Sequence, residues 1–279
     1  MATPAVNPTT EAAPVEPSEK ALLSPAPAVN DASSSVAPSV EDSKSVEPTA
    51  PAGPVKTPVA VPEPSCKPDA PAPLTADQQA KYDSLLSTVK SWTDLPTSSD
   101  KKKAERAPLT DDEKLWLTRE CLLRYLRASK WHLANATKRL EDTLVWRREY
   151  GTNAFTADYI SEENATGKQV IYGFDNGGRP CLYLLPNKQN TKQSPKQVEH
   201  LVYMLERVID LAPPGQESLA LVIDFRNSSA GSQPSVGTGK SVLHILQNHY
   251  PERLGRALIT HREFAQFSFI FHRHCVQSS

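Results

Sequence analysis

The chain has 279 residues, a net charge of −1 and four cysteines, Cys66, Cys121, Cys181 and Cys275. No two of them form a CxxC pair, so composition excludes a disulfide framework and a thiolate zinc site and suits a reducing compartment. The N-terminus has no apolar core of a signal peptide, and no stretch approaches the ~20 apolar residues of a membrane span. Any membrane contact is expected to be peripheral.

Residues 1–75 contain no Phe, Trp or Tyr, 16 of the 25 prolines and one glycine, Gly53. Such a segment buries too little apolar surface to offset its ordering entropy, so residues 1–74 are expected to be a disordered, fairly extended tail. It carries nine acids and four bases, a net −5, which leaves +4 on the remainder. The remaining roughly 200 residues are enough for a domain with a real core.

Thr75 and Gln78 form a capping-box pattern, and Tyr82, Leu85, Leu86, Val89 and Trp92 follow at helical spacing. Pro96 stops that helix, and a polar, lysine-bearing linker runs to Pro108. Thr110 and Glu113 make a second box, opening a helix with Leu115, Leu122, Tyr125 and Leu126 on one side. The spacing predicts a break around residues 128–132, then a helix over 133–150 with Ala136, Leu140 and Leu144 inward and Gly151 as its cap. Residues 75–151 thus read as a helical subdomain. Its basic residues, Arg124, Arg127, Arg147 and Arg148 among them, read as a solvated helix face. No interleaved aromatics or docking motif accompany them, so no nucleic-acid partner is expected.

Beyond residue 151 the pattern changes. Val170, Tyr172 and Phe174 alternate as in a half-buried strand, and Asp175-Asn176-Gly177-Gly178 signals a turn into a second strand over 181–185. Ser194-Pro195 opens a helix with proline at its first position and Gln197 completing a box; Val198, Leu201, Val202, Leu205, Val208 and Ile209 form its apolar stripe. Residues 219–225 (LALVIDF) read as a strand buried on both faces. A loop is expected from Asn227 to about Gly239, then a helix carrying Val242, Leu243, Leu246 and Tyr250, and a strand over 256–259. The order predicts an α/β fold: a helical subdomain followed by an α/β domain.

Three chemistries fail on their residues. Gly237-Thr238-Gly239-Lys240-Ser241 resembles the end of a P-loop, but the glycine that motif needs is Pro234, which has no N–H to offer a phosphate. His261, His272, His274 and Cys275 match no metal-ligand spacing. Asp224 has no identifiable base, so no catalytic site and no cofactor are expected.

The run Leu122-Leu123-Arg124-Tyr125-Leu126-Arg127-Ala128-Ser129-Lys130-Trp131 resembles the helical N-terminal region of CRAL-TRIO proteins. Trp146-Arg147-Arg148-Glu149-Tyr150-Gly151, Gly178-Arg179-Pro180, residues 221–225 and His249-Tyr250-Pro251-Glu252-Arg253-Leu254-Gly255 agree in order and spacing across about residues 110–259. The pattern is most similar to the fungal secretory phosphatidylinositol-transfer proteins. That resemblance implies a sheet floor, helices around an apolar pocket for one lipid, and transfer of phosphatidylinositol between membranes by a cytoplasmic monomer that docks transiently. It implies a headgroup role for Glu252 and pocket roles for Tyr250, Leu219, Leu221, Ile223 and Tyr203.

Three departures are visible. Ser129 stands where better-known relatives have an arginine. Leu219 and Leu221 stand where relatives hold phosphatidylcholine with Ser and Thr, so poor binding of that lipid is expected. After Ile259 the sequence leaves the family pattern, so the domain over 152–260 is expected to be incomplete and 261–279 a divergent tail. The alternatives are an interaction or regulatory fragment without lipid and a carrier of sterol or another apolar ligand.

Overall fold

The computed structural model describes residues 59–100, 102, 105–229 and 235–261. The tail expected over residues 1–74 therefore divides. Residues 1–58 lie outside the described residues, while 59–74 lead into the first helix. Within this segment the Cys66 N–H donates to Glu63 O at 2.8 Å, closing a turn over Pro64 and Ser65.

Helix α1 (Ala76–Lys90) starts at Thr75, whose hydroxyl accepts from the Gln78 N–H while Gln78 Oε1 accepts from the Thr75 N–H. It buries Tyr82, Leu85 and Val89. The linker after it is not featureless: β1 (Asp94–Pro96) and β2 (Arg106–Pro108) pair as a short antiparallel ribbon. Helix α2 (Asp111–Trp116) has the predicted box at Thr110 and Glu113. The expected continuous helix breaks at Leu117, and Thr118 caps a separate α3 (Arg119–Ala128). The break turns Leu115 outward, and it is 75% exposed rather than inward. Helix α4 (Leu133–Tyr150) buries Ala136, Leu140 and Leu144 as its spacing requires and ends at Gly151 with φ +74°. Among the described residues, chain neighbours aside, a Cβ at 151 would meet Ala154 Cβ at 4.0 Å and nothing closer, so the conformation and not crowding selects glycine. Gly151→Ala is expected to lower stability by about 1 kcal/mol, read as a drop in melting temperature; an unchanged Tm would show that the cap tolerates a side chain.

The second part holds α5 (Ser161–Asn164), β3 (Gln169–Phe174), β4 (Pro180–Leu184), α6 (Lys196–Asp210), β5 (Leu219–Asp224), α7 (Val236–His249) and β6 (Leu254–Thr260). The sheet order is β3-β4-β5-β6; β3 and β4 pair antiparallel, while β4, β5 and β6 run parallel. Leu182, Leu219, Leu221 and Ile223 form one buried cluster with Val202, Met204, Leu205 and Val208 of α6 and Ile245 of α7. The amphipathic stripe read in α6 is thus the cover of one sheet face.

Three local expectations change. Pro195 occupies the cap position before α6, not its first turn, and makes no side-chain cap bond; Gln197 instead donates to Thr191 Oγ1 and Lys192 O. Helix α7 starts at Val236 with the Ser235 hydroxyl accepting from the Thr238 N–H, so Gly237, Thr238 and Gly239 are helix and not the end of the loop expected to run to about Gly239. In β3 the phase is the reverse of the expected one: Val170 is 38% and Tyr172 49% exposed, and Ile171 packs on the core. The pairings Val170↔Tyr183, Tyr183↔Val222 and Val222↔Leu258 make one apolar row across the sheet face opposite that core. Leu258 at its far end is 56% exposed.

Candidate functional site

Helix α3 is buried on nearly all sides: Cys121, Leu122, Leu123, Arg124, Tyr125 and Leu126 are all inside. Burial of the six consecutive residues 121–126 carries Arg124 in with them, at 3% exposure. A buried guanidinium needs an acceptor, and Arg124 Nη1 finds Glu217 Oε2 at 3.4 Å, in the connection from α6 to β5. Arg127, one turn on, donates through Nη2 to the same oxygen at 3.0 Å and through Nε to Glu252 Oε2 at 2.5 Å. Burial pulls the Arg127 pKa down, but the bond to Glu252 overrides it and the net shift is upward. Glu252 itself sits at φ +56°, an uncommon conformation for a residue with a side chain.

Arg253 completes the group. Its Nη1 donates to the Glu217 backbone carbonyl at 2.7 Å, yet no carboxylate among the described residues lies within ion-pair reach of it. Burial, then the neighbouring Arg124, pull its pKa down to about 10. Three guanidiniums thus share two carboxylates where α3 meets the starts of β5 and β6. The cluster has a surplus positive charge, the arrangement that accepts a phosphate or carboxylate oxygen.

A second group ties the two parts together beside it. Arg147 donates to both Glu206 oxygens at 2.8 and 3.0 Å, Tyr250 Oη donates to Glu206 Oε1 at 2.6 Å, and the Arg147 guanidinium lies 5.3 Å from the Trp116 ring centre. Tyr125 Oη donates to Thr143 Oγ1 at 2.9 Å and lies 3.2 Å from His249 O. Burial pushes the Cys121 thiol up to about 11, which leaves it a poor nucleophile at neutral pH.

The residues expected to line a pocket are brought together in part. Leu219, Leu221, Ile223 and Tyr250 belong to one core cluster, with Tyr203 half-buried at its margin under Arg207. Glu252 lies apart from them, exposed and paired with Arg127. Ser129 caps α3; it is 8% exposed, and its Oγ has no hydrogen-bond partner among the described residues. The basic residues read as a solvated face include three that are not: Arg124, Arg147 and Arg148 have side chains only 4%, 13% and 14% exposed, each on a carboxylate. Sequence reasoning missed Glu217 and the inward Arg124. A usable signal was the six-residue run CLLRYL, where an arginine interrupts an otherwise apolar stretch. Asp224 accepts from the Arg226 N–H at 2.9 Å and pairs with His261. His272, His274 and Cys275 lie outside the described residues, as does the expected divergent tail beyond His261.

Comparison with known proteins agrees with this architecture. Residues 164–265 match the CRAL/TRIO domain, and residues 81–142 match the CRAL/TRIO N-terminal domain. A CRAL-TRIO domain-containing protein of Schizosaccharomyces pombe is 53% identical over 221 residues, covering 78% of this chain and 22% of that protein. The phosphatidylinositol transfer protein PDR17 of Saccharomyces cerevisiae is 40% identical over 215 residues, covering 71% of this chain and 61% of that one. The chain therefore spans only part of the length of these relatives. The crystal structure of Sfh5 superposes with a TM-score of 0.50 at 15% identity, over 67% of this chain and 72% of that one, which speaks for the fold alone. With the helical part, the four-stranded sheet and both matched segments in the same order, the chain carries a CRAL/TRIO domain preceded by a CRAL/TRIO N-terminal domain.

Proposed function

We propose that this chain binds a phospholipid, phosphatidylinositol first among the candidates, and moves it between membranes without chemical change. The observation that carries the reading is Arg253: a half-buried guanidinium with no facing carboxylate among the described residues, held beside Arg124 and Arg127. A lipid phosphate supplies the missing anion. The apolar row Val170, Tyr183, Val222 and Leu258 offers surface for acyl chains, and each CH₂ taken from water there stabilises by about 0.8 kcal/mol. The name of the Saccharomyces cerevisiae relative favours phosphatidylinositol. No helix among the described residues is long and apolar enough to cross a membrane, so the proposed contact with the bilayer is peripheral.

Native mass spectrometry with extraction of bound lipid tests this directly. Stoichiometric phosphatidylinositol supports the proposal; a folded protein that carries no lipid and does not bind vesicles containing phosphatidylinositol rejects it. Arg253→Met is expected to weaken binding to such vesicles about tenfold, the loss of one hydrogen bond to a charged group; unchanged binding would remove Arg253 from the site. One observation favours the interaction-fragment reading instead: Leu219, Leu221 and Ile223 are already filled by packing against α6. A protein that folds, holds no lipid and binds a protein partner would establish it.

A further inference from the structure

The segment before α1 is not idle where it is described. Cys66 O lies 3.3 Å and Pro68 Cδ 3.5 Å from where a Cβ of Gly178 would stand, and Pro68 Cγ lies 3.7 Å from the same position at Gly215. Gly178 is in the β3–β4 turn with φ +70°, and Gly215 is in the α6–β5 connection with φ +84°. The two glycines form a ledge, and the proline-bearing strap lies across both.

The loops under the strap are bonded to each other. Gln216 Nε2 donates to Gly177 O at 2.7 Å, and Gln216 Oε1 accepts from both the Ser218 N–H and its hydroxyl at 2.9 Å. Arg179 Nε donates to Ser218 Oγ at 3.2 Å, and Arg179 is anchored on Asp175. Glu217 lies between Gln216 and Ser218, so both of its chain neighbours are fixed to the β3–β4 turn. Its carboxylate takes Arg124 and Arg127, and its carbonyl takes Arg253.

We propose that the strap over residues 62–70 is an intramolecular brace: by clamping the Gly178–Gly215 ledge it holds Glu217, and through Glu217 the guanidinium cluster, in the geometry that receives an anion. The role at the anion site rests on the proposed lipid reading, and the clamp itself does not. Glu217 is then a positioning residue, and the strap is the means by which a distant segment sets the affinity of the site.

The test uses the full chain with residues 62–70 replaced by Gly and Ser at equal length, and Pro68→Gly as a milder second variant. Hydrogen exchange is read at the Gly178, Ser218 and Leu219 amides, bonded to Asp175 O, Gln216 Oε1 and Arg253 O. Exchange there is expected to rise about tenfold in the replacement variant, corresponding to a local opening made easier, and to rise less in Pro68→Gly. Unchanged exchange in both overturns the brace. Binding to vesicles containing phosphatidylinositol is expected to weaken about fivefold on strap replacement, the lower end of ordinary coupling between sites. In a Glu217→Gln background the replacement should have no further effect; a full second loss there overturns the route through Glu217. If the unaltered chain ignores these vesicles, the lipid reading fails, while the exchange measurement still decides the clamp.

Discussion

Arg148→Met is expected to be among the most destabilising single substitutions in the protein, by about 3 kcal/mol, the low end of what removing one partner of a buried ion pair costs, because this pair is half-buried. Arg148 lies on α4 and faces the β1–β2 ribbon. Its Nε and Nη2 donate to the two Glu113 oxygens at 2.5 and 2.7 Å. The same guanidinium donates to Leu95 O at 2.8 Å, Ala107 O at 3.2 Å and Pro108 O at 3.0 Å. Burial raises the Glu113 pKa, but Arg148 and the cap bonds of Thr110 outweigh it and keep it below the usual carboxylate range. One side chain therefore joins the cap of α2 to both strands of a three-residue ribbon too short to stand alone. Thermal melting is expected to drop by about 10 °C or more. Arg148→Lys should recover little, because an ammonium cannot present the planar fork these acceptors surround. Adding Glu113→Gln to Arg148→Met should restore part of the loss by removing the stranded charge. A loss under about 1 kcal/mol would place the pair among ordinary surface ion pairs.

Acid should unfold the chain through two histidines before it reaches most carboxylates. His200 is fully buried, with Nε2 3.3 Å from Asn164 Oδ1 and Nδ1 3.3 Å from Gln169 Nε2. Neither contact is with a carboxylate, so nothing in hydrogen-bond reach holds an imidazolium. Burial, then the Lys168 ammonium, pull its pKa down to about 4, against an opposing pull from Glu163. Lys168 is itself buried in an ion pair with Glu163, with Gln189 Oε1 at 2.7 Å, so its charge stays near the ring. His249 stacks on Trp146 at 4.1 Å with Nδ1 3.2 Å from Thr143 Oγ1. Burial, then His244, pull it down to about 4 as well; Arg139 and Arg147 act in the same direction and Asp142 against it.

The sign follows from proton uptake. The unfolded chain binds these protons near pH 6.5 and the folded chain only near pH 4, so stability is complete above about 6.5 and falls as pH drops toward 4. Each ring contributes about 2–3 kcal/mol over that window. Glu206, pushed up by burial but held below the ordinary carboxylate range by Arg147, adds its loss only at lower pH. Urea unfolding at pH 7, 5.5 and 4.5 should show this slope, and His249→Phe, which keeps the stack on Trp146, should flatten it. A slope that neither His249→Phe nor His200→Gln alters would refer the acid sensitivity to other groups.

Local signals were the readable ones. Thr75 with Gln78, Thr110 with Glu113 and Gly151 marked helix ends because each solves its backbone's hydrogen bonding within four residues. The apolar run at 219–225 and the stripe of α6 marked the sheet and its cover because burial imposes a period. The break at Leu117 was hidden because Thr118 caps α3 without a carboxylate three residues on, where Cys121 stands. The reversed phase of β3 was hidden because both of its faces carry apolar residues, and only the packing of Ile171 under α6 selects one. The start of α7 was hidden because Gly237 and Gly239 read locally as loop.

The candidate site was legible only as residue types. Arg124 meets Glu217 across 93 residues and Arg127 meets Glu252 across 125, while the Arg147–Glu206 pair spans 59. By itself the sequence determined the element order, the α/β class and the family resemblance, because helix caps and buried stripes are written at short range. Only the tertiary structure decided which arginines go inside and which carboxylates meet them. A charge enters a core only where a partner from elsewhere in the chain arrives at hydrogen-bond distance, and no local pattern records that partner.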